Sequence, residues 1–131
     1  MQLSLMIALC FHIVPATFWA GTTFALARMP DGRGERLFRA QMGSAAVTVL
    51  AGAYLWHALH EGSFGPMEQW LSAGAVCALL ALAVQAVGAG GVLGKLRAED
   101  STARGRFVWA QRLAAFLLVM ATACMAAARY A

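Results

Sequence analysis

The chain has 131 residues, of which 61% are hydrophobic and 12% charged, with a formal net charge of +4. A soluble domain of this size carries about a quarter of its residues as charges, so the composition excludes a soluble enzyme, a secreted disulfide scaffold and a disordered chain. Residues 1–27, 40–60, 69–94 and 113–128 contain no Asp, Glu, Lys or Arg, and about 20 apolar residues let a helix cross the hydrocarbon core.

Four helices are expected, forming one transmembrane domain over residues 1–131. The first runs from about Leu3 to Ala27 and is broken by Met29-Pro30-Asp31-Gly32, because Pro and Gly oppose helix continuation. It lacks the basic start and short apolar stretch of a signal peptide, and is read as a mature span. The second runs from about Leu37 to His60, before the turn cluster Glu61 to Pro66. The third covers about Met67 to Gly94, and the polar stretch Lys95 to Arg106 leads to the fourth, about Phe107 to Arg129. Short connections between consecutive spans make an all-α, up-down-up-down bundle. Gly90 and Gly94, with Ala86 on the same stripe, and Gly43 and Gly52 in the second helix are expected where backbones approach closely.

Charge sets the orientation. Arg28, Arg33, Arg36 and Arg39 lie near the first connection, and Lys95, Arg97, Arg104, Arg106 and Arg112 near the third, which is nine of the ten basic residues. The positive-inside rule places these connections in the cytoplasm and both termini outside, in the periplasm of a bacterium. The chain is thus expected to be a multi-pass protein of a bacterial inner membrane, with Trp70 and Tyr130 at the outer interface and Trp109 at the inner. This clustering explains the positive charge without nucleic acid as a partner; the bilayer is the expected partner. Cys10, Cys77 and Cys124 lie in apolar runs and form no CxxC pair, as buried thiols do.

Histidines carry the main functional signal, because ionisable groups at membrane depth are costly. His12 lies roughly 14 Å into the first helix. His57 and His60 sit three apart at the outer end of the second, on one face. A hairpin turning near Asp31-Gly32 brings His12 to the height of Gly52, with His57 roughly 7.5 Å nearer the outer surface. One reading makes His12 and His57, or His12 and His60, axial ligands of a b-type haem. The other makes His12 a neutral histidine hydrogen-bonded to a neighbouring helix, and His60 an interfacial residue. A rival set in the outer half joins Met6, Cys10, His12, His57, His60, Met67, Met120, Cys124 and Met125, whose thioether, thiol and imidazole groups suit copper. Gln85 is expected to hydrogen-bond across helices. Arg112 either snorkels to the inner surface or meets an anionic group there.

The first helix reads Phe11-His12-Ile13-Val14-Pro15-Ala16-Thr17-Phe18-Trp19-Ala20-Gly21, an H-x6-W-x-G pattern. It resembles the copper resistance protein D-like membrane domain and the small membrane proteins that include the HemJ-type protoporphyrinogen oxidase. Arg36-Leu37-Phe38-Arg39, Thr48-Val49-Leu50-Ala51-Gly52 and the ending Met125 to Tyr130 are similar to the same group. The resemblance implies a haem-binding or copper-handling bundle, with His12 in the place of the first-helix histidine. Residues and resemblance together leave three functions as alternatives. One is a b-type haem protein in electron transfer or tetrapyrrole redox chemistry. The second is a copper-binding or copper-transporting protein. The third is a cofactor-free accessory subunit that packs against a larger membrane complex or a second copy.

Overall fold

The structure, a computed structural model, describes residues 1–29, 34–62, 64–94 and 100–131. It is all-helical, with no strand among the described residues. Helix α1 spans Gln2–Arg28, α2 Gly34–Leu59 and α3 Pro66–Val84, and α4 spans Ser101–Ala128. Beyond Val84, α3 continues through a π turn, Gln85–Ala89, and a 3-10 turn, Gly90–Val92. All four helices are long and apolar enough to cross a membrane, so the coarse reading as a multi-pass membrane protein holds. The expected Pro30-Asp31-Gly32 break and residues 95–99 of the third connection lie outside the described residues.

Packing joins α1 to α2 and α3 to α4, and α1 also lies along α4. The pairs run antiparallel: His12 meets Thr48 and Thr23 meets Gln41, while Gly74 meets Ala121 and Gly88 meets Ala110. On α4 the buried residues include Ala103, Phe107, Ala110, Ala114, Ala121 and Ala128. Their alternating steps of three and four, or seven, form one seam, and the alanines let the helices approach closely. Two apolar clusters fill the bundle. One, toward the end bearing Arg28, holds Leu26, Phe38, Val92 and Phe107, and the other, near mid-height, holds Trp19, Ala45, Ala81, Ala114 and Leu118. Before Trp19, α1 has no fully buried residue, and after Thr48 neither has α2.

Two local features depart from the sequence reading. Helix α4 begins six residues earlier than expected. The Asp100 carboxylate accepts the Thr102 N–H at 2.9 Å and supplies the N-cap that the first free amides need. The close-packed glycines also differ. A Cβ on Gly88 would stand 2.9 Å from the Ala110 Cβ, and one on Gly74 would stand 3.0 Å from the Ala121 carbonyl oxygen. Gly43 and Gly94 have nothing within 4 Å, and Gly90 makes only ordinary contact with Phe38. For the glycines of the third helix the reason is the π turn, where the Gly90 N–H donates to the Gln85 carbonyl five residues back. One extra residue in the turn rotates the downstream part of the helix by roughly 100°, so a stripe counted in fours across Ala86, Gly90 and Gly94 does not stay on one face.

Candidate functional site

At mid-bundle all four helices contribute to one buried polar cluster. Gln41, Gln85, Gln111 and Thr23 are fully enclosed, and Trp19 is 1% exposed. The Trp19 indole has only a donor. It donates to Gln85 Oε1 at 2.7 Å, so the Gln85 amide must present its oxygen there. The Gln85 NH2 then donates to Thr23 Oγ1 at 2.9 Å and to Gln111 Oε1 at 3.1 Å. Gln41 Nε2 donates to the same two acceptors at 2.7 and 3.2 Å, and Gln111 Nε2 returns a bond to Gln41 Oε1 at 3.3 Å. Thr23 Oγ1 passes its own proton to the Trp19 carbonyl at 2.7 Å. Every amide is used, as a low-dielectric interior demands. The expected bonding of Gln85 across helices is present. Thr23, Gln41 and Gln111 were not singled out in the sequence; their signal was a glutamine or threonine inside a charge-free or nearly charge-free span. The π turn begins at Gln85.

His12 occupies the α1–α2 interface toward the opposite end. Its Nδ1 lies 2.8 Å from the Thr48 carbonyl oxygen. A carbonyl can only accept, so Nδ1 carries the proton. In the neutral ring this leaves the lone pair on Nε2; the ring's hydrogen bond among the described residues is the one from Nδ1. Gly52 makes the room: a Cβ there would stand 2.9 Å from His12 Cε1. The expected match in height between His12 and Gly52 is thus a direct contact. The other two histidines turn elsewhere. The His57 side chain is 80% exposed and stands 3.4 Å from the Glu61 carboxylate. His60 stacks on Trp56, with ring centroids 5.2 Å apart, and approaches Glu68 at 4.0 Å. Its Nδ1 is buried without a partner, while Glu68 accepts the Gly65 N–H at 2.8 Å and caps α3.

The sulfur-bearing set is dispersed. Met6, Met67, Met120 and Cys10 are exposed on the bundle surface, whereas Cys124 and Met125 pack on Gly74. Among the described residues no three His, Cys, Asp or Glu side chains converge as a metal-binding group. Arg112 is exposed and lines a groove between α1 and α4 with Arg28.

Fold and site together define a small four-helix bundle of membrane-crossing type, with a closed amide core and a single imidazole held against a glycine. Compared with known proteins, the chain matches no family model, no curated protein and no solved structure.

Proposed function

We infer that this chain is a small b-type haem protein of a bacterial inner membrane, serving electron transfer or tetrapyrrole redox chemistry. One observation carries the reading: His12, at membrane depth, is held by the Thr48 carbonyl with its Nε2 lone pair left over. A ligating histidine commonly makes this bond from its other nitrogen, which fixes the tautomer and orients the ring. The free nitrogen favours the ligand, and the Gly52 notch holds the ring beside the Thr48 carbonyl. Haem would supply a one-electron couple when bound, and this chain's part is to offer Nε2 and an apolar surround. His57 and His60 face Glu61 and Trp56, so the reading assigns the axial bond to His12 alone. By the charge bias the bundle runs up-down-up-down with both termini in the periplasm.

The test is a visible spectrum of the purified protein with and without reductant, with haem-to-protein ratios for the folded fraction of each variant. The wild type should show a Soret band, and His12→Ala should lose most of its haem. His57→Ala should change little. An unchanged ratio and spectrum in His12→Ala would end the reading, and a colourless protein holding stoichiometric copper would replace it with copper handling. A second reading, a cofactor-free accessory subunit, draws on the outer half of α1. There Leu3, Met6, Ile7, Leu9, Phe11, Ile13 and Val14 are all exposed, and a partner helix would cover them as well as lipid does. A wild-type protein with neither haem nor copper favours it.

A further inference from the structure

An open groove of about 510 Å³ runs between α1 and α4 on the outside of the bundle, lined by Phe24, Arg28, Arg112, Ala115, Phe116 and Val119. Its polarity is ordered along its length. Thr23 and Gln111 share the partners Gln41 and Gln85, so they lie at one height. Arg28 is five residues from Thr23 toward the basic end. Arg112 is one residue past Gln111 in the other direction, which sets it roughly 9 Å deeper by helical rise. Ala115, Phe116 and Val119 continue deeper still, so one end of the groove is cationic and the other wholly apolar. Among the described residues neither guanidinium has a carboxylate partner. An arginine facing hydrocarbon is costly unless it finds an anion or reaches the interface.

We propose that this groove binds one anionic phospholipid of the leaflet on the basic side, its phosphate between Arg28 and Arg112 and an acyl chain along Phe116 and Val119. Basic pockets between membrane helices recognise such head groups. The apolar wall selects a molecule with a tail over a free anion, and the two charges select a net negative head group over a zwitterion. The site is independent of His12 and of haem.

Native mass spectrometry of the full chain in detergent tests this, with phosphatidylglycerol and phosphatidylcholine of identical acyl chains as probes. Each arginine near the surface is worth about fivefold, so the wild type should prefer phosphatidylglycerol by roughly thirtyfold. Arg28→Gln/Arg112→Gln should bring the two lipids near parity, and Arg28→Lys/Arg112→Lys should keep most of the preference. Arg129→Gln, at the opposite end, should leave it unchanged. If the glutamine variant fails to fold, the wild type still decides, because added salt should shrink the preference. Parity in the wild type would overturn the proposal, as would a preference that survives the double glutamine substitution or high salt. Displacement of the lipid by equimolar glycerol 3-phosphate would also overturn it, by showing a site for a bare anion.

Discussion

His12 and Trp19 lie seven residues apart on α1, and they illustrate two ways of placing a polar side chain in an apolar bundle. Each needs a partner on another helix, because a buried polar group without one costs free energy. His12 finds the Thr48 carbonyl and keeps one nitrogen free; Trp19 finds Gln85 and closes a network. Their variants should therefore behave differently. Gly52→Ala places a methyl group 2.9 Å from His12 Cε1 and must displace the ring. Haem content per folded protein should fall several-fold, while Gly43→Ala, with open space around it, should leave it unchanged. Trp19→Phe leaves Gln85 Oε1 without a donor. Reversible unfolding in mixed micelles should show a loss of about 1–2 kcal/mol, with haem-to-protein ratio retained on the folded fraction. If Trp19→Phe is neutral, the amide cluster contributes little to stability.

Among the elements, α3 and α4 depend on close approach. Gly74 faces a backbone carbonyl of α4, Ala121, that cannot swing aside as a side chain does. Gly74→Leu should force the helices apart and lower stability by about 1–3 kcal/mol, as overpacking does. Gly94→Ala, with nothing within 4 Å, should be neutral or slightly stabilising through helix propensity. The same unfolding assay ranks the two, and equal losses would show that the α3–α4 seam is not what limits stability. Asp100→Ala removes the cap of α4 and should fray its first turn at a cost of about 1 kcal/mol, read as faster amide exchange at Ala103 and Arg104. The early start of α4 was legible in Asp100-Ser101-Thr102, a capping sequence masked by the polarity of residues 101–106. The π turn was not legible. It begins at Gln85, which meets three partners on two other helices, an arrangement that local sequence does not encode.

For the whole molecule, nine of ten basic residues gather around two connections, and Arg or Lys at the bilayer centre costs about 2.5–3.5 kcal/mol on insertion scales. A reporter fused at the C-terminus should be active only on the periplasmic side; activity confined to the cytoplasm would reverse the proposed orientation. The bundle is uneven along its length. Its fully enclosed side chains of any size, Trp19, Leu26, Gln41, Gln85 and Gln111 among them, lie from mid-height to the basic end. The other end of the α1–α2 hairpin presents apolar side chains outward, so rearrangement on binding a cofactor or partner would cost least there.

The sequence by itself determined the number of helices, their approximate limits, the all-α class and the one-sided charge. The first three depend on composition along a single span, since a helix in lipid satisfies its backbone internally and needs only length and apolarity, and the charge bias depends on the residues around two connections. It also placed His12 level with Gly52, because one tight hairpin fixes heights by simple rise. The tertiary structure alone decided which polar residues meet. Gln41, Gln85 and Gln111 lie in three different spans, and their convergence depends on the rotation of each helix about its axis. Within α3, across the π turn, Gln85 and Ala89 lie in the core while Ala86 and Gly94 face outward. The directions of His57 and His60 were also decided by the tertiary structure, because His57 is in the last turn of α2 and His60 lies past its end. Sequence spacing puts them on one face, but Glu61 and Trp56 take them to different partners.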